Sequence, residues 1–201
     1  MKDFNDRSRI AYNKKADHYN DTSDGKFTQS FKNFLLEKMI FNDNDTVLDV
    51  ACGNGKLLNM LSQIKRINGI GIDISEQMIK NAAIQNTGML FKVAGCENIP
   101  LEDNSADIIT VSAAFHHFPD VNAFAKEAAR VIRTGGRLYI AEVYLPPILR
   151  VICNPFIPFS NEGDVKFYSS KEIVQIFAAH GFNCQNIFID GHIQIIHLSH
   201  I

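Results

Sequence analysis

The sequence contains no uncharged apolar run long enough to cross a bilayer, so no membrane-spanning helix is expected. Its four cysteines are scattered and form no C-x-x-C pair, which argues against a zinc ribbon or a thiol redox motif. Neither sign of charge dominates: the formal net charge is −2, so bulk attraction to nucleic acid is not expected. The first residues, Met1 to Asp6, are polar and do not resemble a signal peptide.

What the chain does have is enough apolar material for one core. Hydrophobic residues make up 46% of its 201 residues, well outside the composition of disordered chains. This length suits a single compact domain. Because the cysteines show no disulfide-like density, we expect a cytoplasmic protein. We expect it to fold as one domain over residues 1–201 and to be a monomer or a homodimer.

Short β-branched runs alternate with helical patterns through most of the chain. The predicted strands are 46–50, 67–72, 89–94, 107–111 and 137–143, and the predicted helices are 27–39, 56–64, 76–85 and 121–132. Thr134 to Gly136 form a stop signal between the last of these helices and the last strand. Strands rich in Ile and Val that alternate with helices are typical of a mostly parallel sheet covered on both faces.

The last third differs in character. Four of the six prolines fall between positions 144 and 159 among large apolar residues, which excludes a long helix or an inner strand there. A capping box at Ser169–Glu172 opens a helix, and two closing strands, 182–189 and 193–199, have a hairpin-like connection. The pattern predicts an α/β fold: a doubly wound, mostly parallel seven-stranded sheet with an antiparallel C-terminal strand.

A glycine-containing turn follows the first predicted strand, in Asp49-Val50-Ala51-Cys52-Gly53-Asn54-Gly55. Glycines let the backbone approach a ligand closely, and doubly wound sheets bind ligands at the carboxyl ends of strands. By themselves, Gly53 and Gly55 are equally consistent with a simple tight turn. Asp73, at the end of the next strand, is placed to accept hydrogen bonds from a ribose. The alternative is a helix cap, although Ser75 is better placed for that role.

Two cofactor classes use this arrangement. The dinucleotide fingerprint needs a third glycine where this chain has Leu58. Asp49 beside the turn would repel a pyrophosphate and attract an ammonium group. S-adenosylmethionine has an ammonium group and a ribose but no phosphate, so the pattern favours this sulfonium cofactor. A nucleotide-dependent oxidoreductase is the weaker alternative, and a non-catalytic S-adenosylmethionine-binding module stays open.

Four segments, in order, resemble the motifs of class I S-adenosylmethionine-dependent methyltransferases, especially the ubiquinone and menaquinone biosynthesis branch. They are Val47–Leu58, Gly71–Met78, Glu97–Asp107 and Arg133–Leu138. The resemblance extends from about Tyr12 to the C-terminus and implies a Rossmann-like methyltransferase fold, with S-adenosylmethionine as cofactor and S-adenosylhomocysteine as product. Two positions depart from the family: Gly95 stands where an Asp often contacts adenine, and Thr134 replaces a proline.

The resemblance also implies roles for individual residues. Asp49 would lie at the methionine end of the cofactor and Asp73 at the ribose. The full implied cofactor-binding set is Tyr19, Asp49, Ala51, Gly53, Asn54, Gly55, Asp73, Ile74, Met78, Gly95, Cys96, Glu97 and Ser112. Tyr12 and Tyr19 lie in a segment similar to one that closes over the cofactor in the family. Simple helix packing explains these two residues equally well.

The segment after the fourth predicted strand contains two adjacent histidines, His116 and His117. One of them should face the acceptor. His117 is the first candidate for a general base, and His116 is the second. The alternative is a histidine bonded to nearby backbone. No metal site is predicted, because no third ligand is evident beside the pair.

The predicted acceptor is a small molecule, apolar or aromatic, methylated by in-line transfer. Nucleic acid is not expected, because Ser112 to Phe115 stand where a nucleic-acid enzyme would have N-P-P-Y or D-P-P-Y. The expected parts of the domain are an N-terminal lid or helical segment (1–41), a cofactor-binding core (42–143), a Pro-rich acceptor lid (144–168), and a closing helix and hairpin (169–201).

Overall fold

The computed structural model describes residues 2–201; Met1, the first residue of the polar start, lies outside them. Seven strands in this range form one sheet: β1 (Thr46–Val50), β2 (Asn68–Asp73), β3 (Leu90–Val93), β4 (Ala106–Ser112), β5 (Ile132–Val143), β6 (Phe182–Asp190) and β7 (Ile193–His200). Their order is β3-β2-β1-β4-β5-β7-β6. β7 is antiparallel to both of its neighbours, and the other pairs are parallel. The predicted doubly wound α/β fold is confirmed.

Seven α-helices accompany the sheet within the described residues: α1 (Lys2–Lys15), α2 (Ser23–Lys38), α3 (Lys56–Ser62), α4 (Glu76–Gln85), α5 (Val121–Val131), α6 (Pro147–Cys153) and α7 (Ser170–Ala178). α4 begins where the sequence predicts, because the hydroxyl of Ser75 accepts the N–H of Met78. At the start of α7, the predicted capping box joins Ser169 and Glu172 in both directions.

The structure corrects the prediction at the end of α5. The sequence predicts a stop at Thr134–Gly136 and a strand only from Arg137, whereas β5 begins directly after α5, at Ile132. Ile132 is buried and pairs with Ala106 of β4, and regular pairing resumes where Arg137 meets Ile108. The two glycines therefore lie in a bulge within the strand, and they do not separate a helix from a strand.

Alternate residues of the inner strands supply two apolar cores on opposite faces of the sheet. In β1, Leu48 and Val50 belong to the core that includes residues of α5 and α7, and Val47 belongs to the core that includes residues of α2 and α3. Because side chains alternate along a strand, Asp49 shares the face of Val47. The fold thus buries a carboxylate on the α2 side, at the carboxyl end of β1.

None of the helices between residues 2 and 201 combines the length and the apolar character that crossing a membrane requires.

Candidate functional site

A cleft opens at the carboxyl ends of β1, β2 and β4, the edge at which doubly wound sheets bind ligands. The loops after these strands form one side, and Tyr12, Tyr19 and Lys32 contribute from the N-terminal part of the chain. The space between the lining residues, including the open solvent at the mouth of the cleft, is about 870 Å³.

The turn after β1 has a left-handed backbone at alternate residues. The φ angle is +57° at Ala51, +54° at Gly53 and +76° at Gly55. Gly55 caps α3, and a Cβ there would lie 2.8 Å from Nδ2 of Asn86, so a side chain does not fit. A left-handed alanine is uncommon and costs conformational energy, and such strain is concentrated at ligand sites. Ala51 and Gly53 both line the cleft.

The carboxylate of Asp73 joins the end of β2 to this turn. Its Oδ2 accepts the N–H of Gly53 at 2.9 Å, and its Oδ1 accepts the N–H of Ser75 at 2.8 Å. Burial raises the pKa of Asp73, and these backbone N–H groups act against the rise. Ser75 is the cap of α4, whereas Asp73 lines the cleft.

A second buried carboxylate belongs to Asp49, the penultimate residue of β1. Its Oδ1 accepts the hydroxyl of Thr110 at 2.7 Å, and burial raises its pKa to about 7. Lys32 of α2 lines the same cleft, and burial lowers the pKa of its ammonium group to about 8, against the attraction of Asp49. Nζ of Lys32 donates to the hydroxyl of Thr28 at 3.2 Å.

The two histidines lie in a 3-10 turn after β4 and have different environments. His117 lines the cleft, with Nε2 3.1 Å from the hydroxyl of Tyr12. Burial lowers the pKa of His117, and the neighbouring His116 adds to that effect. His116 is buried against Glu142, with Nδ1 2.7 Å from Oε1. Burial alone would lower the pKa of His116, but the Glu142 carboxylate outweighs it and the pKa is raised.

A third side chain reaches both rings from a distant loop. Oδ1 of Asp164 lies 3.0 Å from Nδ1 of His117 and 3.5 Å from Nε2 of His116. No third ligand is evident beside the histidines in the sequence. The structure supplies one, because the loop before α7 folds back onto the end of β4.

Most predicted site residues come together on the cleft: Tyr19, Asp49, Ala51, Gly53, Asn54, Asp73, Ile74, Met78, Cys96, Ser112 and His117. Among the described residues, four predicted positions do not line it: Gly55, Gly95, Glu97 and His116. Gly55 faces α4 and β3 at the start of α3. Cys96 is buried, whereas its two neighbours Gly95 and Glu97 are partly exposed.

Sequence reasoning missed Lys32, Glu142 and Asp164. Lys32 had a signal, because it lies between Phe31 and Leu35 on the buried stripe of α2. Glu142 also had one, since a carboxylate within the apolar run of β5 must be buried with a partner. Asp164 had no local signal, because its position depends on how a long loop folds.

Known proteins resemble this chain in sequence and in fold. The family profile of a methyltransferase domain matches residues 48–140. The ubiquinone/menaquinone biosynthesis C-methyltransferase UbiE of Rickettsia typhi is 33% identical over 67% of this chain and 58% of its own length. The uncharacterized methyltransferase YcgJ of Bacillus subtilis is 31% identical over 70% of this chain and 58% of its own length.

A methyltransferase solved in complex with the Trm112 activator of Haloferax volcanii has the same fold, with a TM-score of 0.81 at 21% identity over 94% of this chain and 97% of that chain. The chain belongs to the class I S-adenosylmethionine-dependent methyltransferases. Within this family it is a distant relative of the UbiE enzymes, and it spans about half the length of the curated relatives that it matches. The methyl donor of class I methyltransferases is S-adenosylmethionine, and the product is S-adenosylhomocysteine.

The cleft of this class I methyltransferase fits that cofactor. Among the described residues, the hydrogen bond that Asp49 accepts is the one from Thr110 to Oδ1, which leaves Oδ2 for a cationic amino group. Oγ of Ser112, at the end of β4, is buried without a hydrogen-bond partner, as expected of a group that faces a ligand. Leu58 is fully buried where a dinucleotide fingerprint needs its third glycine.

Replacing Asp73 by alanine should weaken S-adenosylhomocysteine binding by about 10- to 150-fold, because charge-assisted hydrogen bonds to the ribose contribute about 1.5–3 kcal/mol. Titration calorimetry measures this. The ribose is shared with 5′-methylthioadenosine, so the affinity for that ligand should fall by the same factor. Unchanged affinity for both ligands would exclude Asp73 as the ribose-binding residue.

Proposed function

We propose that this protein transfers a methyl group from S-adenosylmethionine to a small apolar or aromatic acceptor. The observation that carries the proposal is the pair of buried carboxylates, Asp49 and Asp73, at the ends of adjacent strands beside a left-handed turn. When bound, the cofactor would supply a methyl group on a positively charged sulfur, and the acceptor would take this methyl group by in-line displacement of the sulfur. The protein itself supplies alignment and a water-poor cleft.

The residues of the chain divide these tasks. Asp49 receives the amino group of the cofactor, and Asp73 orients its ribose. The backbone of Ala51 to Asn54 comes close to the ligand because its turn is left-handed. Tyr12 and Tyr19, with ring centroids 6.1 Å apart, lie on the N-terminal side of the cleft and exclude water.

We propose that the chain is one domain with two lids over a common cleft. The parts are the N-terminal lid (1–41), the cofactor-binding core (42–143), the acceptor lid (144–168), and the closing helix and hairpin (169–201). In support of this division, the guanidinium of Arg7 donates to the carbonyls of Pro158 and Ser160 at 2.9 and 2.8 Å. The hydroxyl of Ser8 donates to the carbonyl of Glu162 at 2.6 Å, so α1 holds the acceptor lid.

The exposed surface of the acceptor lid supports the proposal that the acceptor is apolar. Large apolar side chains of α6 and the residues after it are exposed: Ile148 (76%), Val151 (73%), Phe156 (71%) and Phe159 (81%). A contiguous exposed apolar surface is uncommon in a folded protein and is typical of a binding surface. The UbiE relative is described as a C-methyltransferase of ubiquinone and menaquinone biosynthesis.

The proposal has two parts that one experimental series separates. Titration with S-adenosylhomocysteine tests cofactor binding, and NADH serves as the control for the oxidoreductase alternative. Incubation with S-adenosylmethionine and a panel of phenols, quinols and small amines, followed by mass spectrometry, tests transfer. Binding without transfer to any of them would support the non-catalytic module, and tighter binding of NADH would contradict the methyltransferase proposal.

Ligand binding should slow hydrogen exchange in the acceptor lid. A lid opens more readily than the central strands, so the amides of residues 144–159 should exchange faster than those of β1 and β4 in the free protein. The rate should fall when S-adenosylhomocysteine and an acceptor are added. Exchange measured by mass spectrometry tests this. Exchange in 144–159 as slow as in β4, with or without ligand, would mean that this segment is part of the rigid core.

The predicted base roles of His117 and His116 stay predictions. Position favours His117, which lines the cleft, over His116, which is buried on Glu142. If His117 accepts a proton from the acceptor, His117→Ala should lower kcat by roughly 100-fold or more and leave the affinity for S-adenosylhomocysteine unchanged. Kinetics with an identified acceptor measure this. A loss below about tenfold would mean that His117 only shapes the cleft.

A further inference from the structure

Three potential metal ligands from distant parts of the chain converge beside the cleft. They belong to His116, His117 and Asp164, each of which offers one ligand atom within 4.8 Å of those of the other two. The side chains are mostly enclosed, with exposed fractions of 11%, 11% and 17%. Clusters of such groups on the solvated surface are common and often have no function. This set of two imidazoles and one carboxylate is instead largely shielded from solvent.

The contacts among these atoms are not good hydrogen bonds. Nδ1 of His117 lies 3.0 Å from Oδ1 of Asp164, yet it is buried and has no hydrogen-bond partner of acceptable geometry. Nε2 of His116 is 3.5 Å from the same oxygen. Two ligands of a tetrahedral Zn²⁺ ion, each about 2.0 Å from the metal, lie about 3.3 Å apart. The observed separations of 3.0 and 3.5 Å bracket that value.

Outer groups hold both imidazoles in orientation. Nδ1 of His116, the nitrogen that does not face Asp164, is 2.7 Å from the buried carboxylate of Glu142. On His117, Nε2 is 3.1 Å from the hydroxyl of Tyr12. A carboxylate or oxygen acceptor on the outer nitrogen is the usual means by which proteins orient a metal-bound histidine and increase its basicity.

Backbone contacts hold Asp164 in place. The N–H of Val165 donates to the carbonyl of His116 at 2.7 Å, and the N–H of Asp164 donates to the hydroxyl of Ser160 at 3.1 Å. Gly163 packs so closely on α1 that a Cβ would lie 2.5 Å from Oγ of Ser8. Because its neighbours are held on both sides, the carboxylate is positioned against the histidines before any ion binds.

We propose that His116, His117 and Asp164 form a mononuclear site for a divalent transition-metal ion, with Zn²⁺ as the ion to test. Imidazole nitrogens favour Zn²⁺ and its neighbours over Mg²⁺ or Ca²⁺, which prefer oxygen ligands. Three protein ligands leave a fourth position for water or another ligand. The ion would fasten the loop before α7 to the end of β4, so the site does not depend on the proposed methyl transfer.

Binding of Zn²⁺ at this site changes the role of His117. With the ion on Nδ1, the proton of the ring resides on Nε2 and is donated to the hydroxyl of Tyr12. His117 then orients the N-terminal lid and does not act as a base. Metal content and affinity therefore decide between this inference and the predicted base role, without a measurement of activity.

The test uses the full chain, free of an affinity tag and stripped with a chelator. Zn²⁺ titration, with elemental analysis after dialysis, should give one tightly bound ion per chain. Asp164→Asn keeps the shape of the loop and should weaken binding by roughly 100-fold or more, beyond the 10- to 100-fold typical of outer groups. Asp190→Asn, which changes an exposed carboxylate in the hairpin, should leave binding unchanged.

Co²⁺ provides a second readout, because a tetrahedral nitrogen–oxygen site gives visible absorption bands that octahedral aqueous Co²⁺ gives only weakly. The bands should appear in the wild type and in Asp190→Asn and be absent in Asp164→Asn. Absence of tight Zn²⁺ binding by the folded wild type, or equal affinity in Asp164→Asn, would overturn the proposal. If Asp164→Asn does not fold, His117→Gln tests the same site from the other side.

Discussion

Asp49→Asn should weaken binding of S-adenosylhomocysteine by about 30-fold or more, because removing one partner of a buried charge pair costs about 2–5 kcal/mol. The substitution is nearly isosteric and keeps an oxygen that accepts the hydroxyl of Thr110, so the strand end should retain its structure. Titration calorimetry gives the affinity. The matched ligand 5′-methylthioadenosine lacks the amino-acid end, and its affinity should be the same in both proteins.

The same carboxylate predicts a pH dependence for the wild type. Burial raises the pKa of Asp49 to about 7, so the free protein loses the negative charge as the pH falls through that value. From pH 7.5 to 5.5 the ionised fraction, and with it the affinity for a cationic amino group, should fall about 20-fold. Lys32 and Asp73 also face this space. A flat profile for the wild type, parallel to that of Asp49→Asn, would place the amino group elsewhere.

Glu142→Leu should lower the free energy of unfolding by about 3–5 kcal/mol, the cost of removing one partner from a buried charged pair. Glu142 is fully buried and accepts three hydrogen bonds, from Nδ1 and the backbone N–H of His116 and from the N–H of Val143. Leucine fills the space but leaves these donors without an acceptor inside the core. Urea denaturation followed by circular dichroism measures the loss.

Two further variants give this experiment its controls. Glu142→Gln keeps one acceptor oxygen and should lose less stability than Glu142→Leu, because that oxygen can still accept two of the three hydrogen bonds. Glu102→Gln changes an exposed carboxylate and should remain within about 0.5 kcal/mol of the wild type. A chelator in the buffer removes any contribution of a bound ion. If Glu142→Leu unfolds at the same urea concentration as the wild type, the buried contacts of Glu142 do not contribute to stability.

The parts of the fold that depend on local sequence were predictable. β1 and α4 have their predicted bounds because β-branched residues and a serine cap act within a few residues of chain. The start of β5 was not predicted, since a glycine pair ordinarily ends a helix. Here, the burial of Ile132 against β4 determines the outcome, and that contact is not visible in the local sequence.

The candidate site also has residues that the local sequence predicts and residues that it does not. Asp49, Gly53 and Asp73 were predictable because they follow strands whose carboxyl ends must meet at one edge of a parallel sheet. Lys32 lies on a buried helix stripe that the sequence shows, but the sequence does not show that this stripe packs at the edge of the sheet. Asp164 comes from a long loop, and nothing within a short window of sequence indicates its position. The positions of both side chains at this edge depend on tertiary packing, which neither composition nor spacing indicates.

The position of β7 between β5 and β6 has a consequence for synthesis of the protein. β5 ends at Val143, and the strand that covers its free edge is completed only at His200. At 5–20 residues per second, the apolar edge of β5 on a nascent chain stays open for roughly 3 to 11 s after it has been made. An uncovered strand edge invites pairing with other chains. Ribosome-associated chaperones should therefore contribute most to the yield of this protein during that interval.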